Sequence, residues 1–193
     1  MLVLTSALIA SPSSTATTNQ VPPPVAGKTV NVKLRSGKVR YRLPGTSTFV
    51  ALTSPQQVPL GTTFDTTAGR VTLITAASER AWFYEGTFTV GQTGGDHPIT
   101  TLTLAGTKPS CGTARAAAKR KRKTRHLWGD GKGHFRTAGL FSSATVRGTR
   151  WVVIDRCDGT LTRVVRGVVS VRDFAKHKTV LVHAGEQYLA KKP

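Results

Sequence analysis

Acidic residues are scarce in this sequence: nine Asp and Glu stand against twenty-eight Lys and Arg in 193 residues, a formal net charge of +19. That scarcity leaves few carboxylates for paired acid–base chemistry, and Asp155-x-x-Asp158-Gly159 is too sparse for a calcium loop, which wants several more oxygen ligands. The surplus of positive charge instead predicts attraction to polyanions and strong salt sensitivity. Cysteine is rare too, with two residues and no Cys-x-x-Cys, so thioredoxin-like chemistry has no support. The apolar opening from Met1 to Ala10 falls far short of the ~20 residues of a membrane-spanning helix. Neither Gly-x-Ser-x-Gly nor His-Glu-x-x-His occurs, and no uninterrupted helical pattern precedes Thr113.

The motifs that tempt a cofactor reading fail on their own terms. Gly27-Lys28-Thr29 lacks the earlier glycine of a phosphate-binding loop, since Pro22 stands there, and a polyproline run replaces the required strand. Gly129-x-Gly131-x-Gly133 has His134 in place of the later glycine of a dinucleotide fingerprint and no helix after it, so Leu127 to Gly133 reads as a glycine-punctuated turn. The five histidines, His97, His126, His134, His177 and His183, are scattered among positive charges without metal-ligand spacing. No metal and no cofactor is implied.

Short runs of alternating β-branched and aromatic residues are what the chain does contain. Val30, Val32 and Leu34 alternate with Asn31, Lys33 and Arg35, and after Ser36-Gly37 the run Val39, Tyr41, Leu43 alternates with Lys38, Arg40 and Arg42. This predicts a hairpin with one apolar and one cationic face, ended by Pro44-Gly45. From Ala144 to Arg172, Trp151, Val153 and Asp155 alternate with Val152 and Ile154, Gly159-Thr160 separates this run from the next, and Gly167 precedes Val169 and Val171. Period two with glycine punctuation predicts a meander of about three strands. Gly61 to Leu73 echoes that stretch, and Trp82 to Val90 around Gly86 parallels Val164 to Val171 around Gly167, an internal half-repeat of the kind that builds two facing sheets. The last strand is expected at Thr179 to Ala184, before Gly185.

The ends and one interruption read differently. Residues 1–16 resemble a signal peptide that lacks its basic start, and 17–27 form a Ser/Thr/Pro-rich linker. Within the 28–190 β domain, residues 106–126 form a basic loop carrying Arg115, Lys119, Arg120, Lys121, Arg122, Lys123 and Arg125 and no acid. Thr113 can cap a short helix there, although like-charge crowding opposes it. An exported chain with an even cysteine count predicts a Cys111–Cys157 disulfide, with two buried thiols as the alternative.

The Val-Arg-Gly-Thr-Arg-Trp start at Val146, the Asp155-x-x-x-Gly159-Thr160 turn, the Gly167-x-Val-x-Val strand and Ala184-Gly185-Glu186 together resemble the FecR domain. That domain is the extracytoplasmic module of iron-dicitrate-type regulators, also found in many secreted actinobacterial proteins. The resemblance implies an all-β two-sheet sandwich or distorted barrel of about a dozen short strands. Arg147, Gly148, Thr149, Asp155, Gly159, Gly167 and Gly185 would then be fold hallmarks, with Arg147 in a structural ion pair or, alternatively, reading a ligand. With no spanning segment or cytoplasmic domain in the sequence, the resemblance carries neither signalling nor iron transport to this chain. What remains is a non-enzymatic module at the cell envelope that binds an anionic wall polymer or a protein partner through the basic loop, helped by Trp128. A nucleic-acid binder is the alternative. A glycan-acting enzyme using Asp65 and Asp155 is the third reading, against which each Asp is expected to bond backbone amides or pair with Arg70, Arg147 or Arg156.

Overall fold

The structure, a computed structural model, describes residues 21–95, 97–109, 111 and 124–193. The signal-peptide reading of 1–16 and the Thr113 helix cap lie outside them. The expected all-β class is borne out: fifteen strands form one nearly closed, barrel-like sheet, and no helix occurs among the described residues.

The second half of the chain is a meander of four long antiparallel strands, each folded once. Ser142 pairs with Asp173 and Arg156 with Gly159 in one register, so β10 (Ser142–Val146) and β11 (Thr149–Arg156) form one arm of a hairpin. Its other arm is β12 (Gly159–Arg166) with β13 (Val168–Asp173), and Cys157-Asp158 is the tip. The same holds on either side. β8 (Arg125–Lys132) and β9 (Phe135–Ala138) line up along β11 and β10, while β14 (Lys178–His183) and β15 (Gln187–Lys191) line up along β13 and β12.

The folds fall on a line of glycines with positive φ: Gly133, Gly148, Gly167 and Gly185. A residue with a Cβ reaches such φ values only at a cost, so the crease sits where the backbone is free to turn. At Gly167 an added Cβ would also lie 2.8 Å from Thr149 Cγ2 and 2.9 Å from the Gly148 carbonyl. Beyond the crease the two halves of each strand lie in facing layers. The sheet order runs from β14 to β15, which are consecutive in the chain, so the ends of the sheet approach one another at the Gly185 corner. There Gly185 N–H donates to the Val164 carbonyl at 2.9 Å.

In the first half, β1 (Thr29–Arg42) pairs along its length with β4 (Thr63–Ile74) and at its other edge with β2 (Val50–Ala51) and β3 (Gln56–Pro59). β4 pairs in turn with β5 (Arg80–Tyr84) and β6 (Thr87–Gln92), which meet at the Glu85-Gly86 corner, and β7 (Thr100–Leu104) runs parallel to β9. The expected parallel between Gly86 and Gly167 therefore has a structural meaning, since the chain changes layer at both.

Three expectations need correction. Ser36-Gly37 is not a hairpin turn but lies in register within β1, where Gly37 pairs with Gly69, flanked by β-bulges between Leu34 and Ser36 and between Lys38 and Arg40. A bulge and a turn both shift the alternation by one residue, so the sequence pattern is the same for either. Leu127 to Gly133 is not a turn but lies mostly within strand β8: Leu127 and Gly129 face the core, and Gly129 leaves the space that Trp151 fills opposite it. The final strand is β15, beyond Gly185, whose short Tyr188-Leu189-Ala190 run carries little periodic signal.

Between the layers, Phe83 sits at the centre of an aromatic cluster, with ring centroids 5.6 Å from Phe88, 5.6 Å from Phe135 and 6.1 Å from Trp151. Trp151 Nε1–H donates to Thr137 Oγ1 at 3.0 Å, which satisfies the one polar atom of a fully buried ring. Pro22 and Pro23, at the end of the expected linker, are fastened to the sheet by Asn31 and Gln57 side chains donating to their carbonyls. The expected Cys111–Cys157 disulfide is present, with Cα atoms 5.4 Å apart. It joins positions 46 residues apart, a closure worth about 4 kcal/mol in the chain-entropy account.

Gly167→Ala combines strain at positive φ with a close contact, whereas Gly185→Ala meets nothing within 4 Å. Urea unfolding should therefore show a loss of roughly 1–2 kcal/mol for Gly185→Ala and at least about 1 kcal/mol more for Gly167→Ala. Equal losses would count against close packing at the Gly167 corner.

Candidate functional site

Two of the scarce carboxylates, Asp155 and Asp173, are buried inside the fold. Asp155 is fully buried. Its Oδ2 accepts from Arg125 Nε at 2.7 Å, and its Oδ1 accepts from Leu140 N–H at 2.9 Å and Thr160 Oγ1 at 2.6 Å. Thr160 Oγ1 in turn accepts from Phe141 N–H at 3.0 Å, so one carboxylate pins the β9–β10 turn to the β11–β12 hairpin. Gly139 is part of this arrangement, because an added Cβ there would stand 2.5 Å from Asp155 Oδ1. Asp65 is held separately, by Arg40 at 2.6 Å and by Thr67 N–H at 3.1 Å, and has no contact in common with Asp155. Arg156 pairs with Asp158, Arg166 with Asp130, and His134 with Glu79.

Asp173, also fully buried, accepts from Lys176 N–H at 2.9 Å and from the Tyr188 hydroxyl at 2.8 Å. Burial pushes its carboxyl up, but these donors and the Lys176 charge outweigh burial and hold it below the ordinary value of 3.8. Burial and the same Asp173 bond push Tyr188 above its ordinary value of 10.0. Asp65 follows Asp173: burial raises it, while Thr67 and Arg40 bring it lower.

The sequence-derived candidates separate into three groups. Arg115, Lys119, Arg120, Lys121, Arg122 and Lys123 lie outside the described residues. Arg125 is not on an open surface but in the buried pair with Asp155. Gly148, Thr149, Gly159, Gly167 and Gly185 shape corners or strand starts, and Arg147 is exposed at the crease without a hydrogen bond or ion pair among the described residues. Trp128 stands apart from these, on the outer face of the sheet.

That face carries an ordered set of arginines and aromatic rings. Alternation places Arg70, Tyr84, Trp128 and Val152 outward in one cross-strand row, because Val71, Phe83, Leu127 and Trp151 point inward beside them. The next row carries Thr72, Trp82, Asp130 and Arg150. Arg35 lies over Trp82, 3.7 Å from the ring centroid, and Arg70 lies 4.2 Å from that of Tyr84. Tyr84 and Trp128 stack at 5.9 Å with planes 6° apart, and Arg150 sits 5.5 Å from Trp128 while its Nε donates to the Tyr84 hydroxyl at 3.2 Å. Arg163 continues the first row opposite Val152. Among the described residues no carboxylate pairs with Arg35, Arg70 or Arg150.

Sequence reading did not single out Arg35, Trp82, Tyr84 and Arg150, and it offered Arg70 as an ion-pair partner for an Asp, a pairing absent among the described residues. Each is an outward residue in an alternating strand, which was legible, but their adjacency depends on pairings between β1, β4, β5, β8 and β11. No family model, curated protein or solved structure matches this chain. The face must therefore be read from its own chemistry.

Breaking a buried pair leaves an uncompensated charge, whereas exposed pairs contribute little. Arg125→Gln should lower stability by roughly 3–5 kcal/mol and Arg40→Gln by no more than about 1 kcal/mol, measured by denaturant unfolding. Similar losses would show that the Arg125–Asp155 pair is not a structural staple. A carboxyl depressed in the folded state stabilises above its unfolded pKa, and that contribution is lost as pH falls through the folded value. Thermal unfolding from pH 5 downward should accordingly fall less steeply in Asp173→Asn than in the parent chain. Parallel acid limbs would remove Asp173 from the acid sensitivity.

Proposed function

We propose that this chain is a non-enzymatic binding module that works outside the membrane and holds an anionic polymer. The observation that carries the reading is the outer row in which Arg35, Arg70 and Arg150 are mounted on Trp82, Tyr84 and Trp128 without carboxylate partners among the described residues. In a chain with +19 net charge, the few acids pair with other cations, Arg40, Arg125, Arg156 and Arg166, and these arginines stay available for an external anion.

A non-catalytic role is supported by the engagement of Asp65, Asp155 and Asp173, each bonded to backbone amides or hydroxyls as well as to any cation. An extracytoplasmic setting is supported by the Cys111–Cys157 disulfide, and no helix among the described residues is long and apolar enough to cross a membrane. The FecR-like reading is part of the same proposal, supported by the motif glycines Gly148, Gly167 and Gly185 standing at the crease of the sheet. The polymer would be an anionic component of the envelope, with nucleic acid as the alternative. The basic 106–126 segment would add to the same attraction.

Retention on a polyanion column tests the reading. Changing Arg35, Arg70 and Arg150 together to Gln should move elution to clearly lower salt and flatten its salt dependence, and neutralising Lys119 to Lys123 should do so in addition. Unchanged elution in the triple arginine variant would remove the face from the function.

A further inference from the structure

We infer that the arginine row takes a linear phosphodiester chain, laid across the strands and gripped through its phosphates, with no base or sugar stacked on the protein's rings. The inference rests on the polyanion-binding reading above and names the ligand chemistry of that site.

The rings are already occupied. A platform that stacks bases presents open aromatic faces. Here Arg35 covers Trp82, Arg70 covers Tyr84, and Trp128 is stacked in an offset way on Tyr84 with Arg150 5.5 Å from its centroid. Tyr84 is only 4% exposed. The aromatics therefore serve as mounts. A guanidinium held against a ring keeps the N–H groups of its rim free to donate, and it has little side-chain entropy left to lose when an oxyanion arrives.

The direction of the row sets the shape of the ligand. Arg35 on β1, Arg70 on β4, Arg150 on β11 and Arg163 on β12 lie on successive or nearby strands of one sheet path, β1-β4-β5-β8-β11-β12. At ~4.8 Å between neighbouring strands the row spans roughly 24 Å. A compact anion meets one or two of these groups, whereas a chain with repeating charge meets all of them. Phosphate suits the spacing better than carboxylate. One guanidinium fork fills a planar carboxylate, while a tetrahedral phosphodiester directs its two free oxygens toward different donors, such as Arg35 and Arg70 on adjacent strands. Asp130 stands within the row, between Trp82 and Arg150 in register, and Arg166 already neutralises it at 2.8 Å.

The test titrates the full oxidised chain at low salt with three polymers of matched length and charge: an abasic deoxyribose-phosphate oligomer, oligothymidylate and a polyuronate. The abasic and thymidylate chains should bind within about threefold of each other, and the polyuronate roughly tenfold or more weakly, because phosphate contacts and not stacking supply the affinity. Arg35→Gln/Arg70→Gln/Arg150→Gln should reduce the slope of log K against log salt by about 2 on the single strand. The matching Lys variant should keep the slope and lose the preference for phosphate over carboxylate. Unfolding midpoints of both variants are checked against the parent chain. Thymidylate exceeding the abasic chain by tenfold, or polyuronate matching both, would overturn the phosphodiester inference while leaving polyanion binding intact. A triple Gln variant with unchanged slope, or no binding of any polymer, would overturn both.

Discussion

The backbone freedom of a few glycines is the constraint on which the rest of the structure depends. Four consecutive strands bend at Gly133, Gly148, Gly167 and Gly185, and because Gly133, Gly148 and Gly167 lie opposite one another in register with Gly185 within two residues of that line, the bends add up to one fold line across the sheet. A flat sheet of this sequence would leave Trp151, Phe83 and Phe135 facing water on one side. Folding it brings those side chains against one another and forms the core that the composition alone makes modest. Gly148, Gly167 and Gly185, expected from the sequence as fold hallmarks, fall on this line.

Charge is distributed by the same geometry. Carboxylates are few, and the structure places most of them where a strand end or turn has unsatisfied N–H groups or a nearby cation: Asp155 at the β9–β10 turn, Asp173 before the β13–β14 turn, Asp65 at the bend of β4. Cations not needed for those staples remain on the outer face, where alternation sets them beside outward aromatic residues. Buried carboxylates such as Asp155 and Asp173 are thus fully engaged, while on the outer face paired arginines such as Arg166 stand beside Arg35, Arg70 and Arg150, which have no carboxylate partner among the described residues.

Much of this was legible from residues alone, to different degrees. Period-two alternation identified the strands, the motif glycines marked the corners, and an even cysteine count identified the disulfide. Ser36-Gly37 could not be resolved because a bulge and a hairpin give the same change of phase. Gly129 and Gly131 suggested a turn because the sequence does not reveal that Trp151 and Ala81 need the missing side-chain volume. The arginine–aromatic row was hidden for a related reason. Arg70, Tyr84, Trp128 and Arg150 are far apart in the chain and become neighbours only through pairings that loop closure brings about.

Gly129 opposite Trp151 has a consequence beyond core packing. The large indole fits against β8 only where that strand carries no side chain, so the pair acts as a key and notch that sets how far β8 can slide along β11. A slip of one residue would turn every outward group of β8 inward. Trp128 and Arg150, the residues next in line on the two strands, are thus aligned on the outside by a fit made on the inside. The spacing of the exposed row is gauged by a contact that no ligand ever touches.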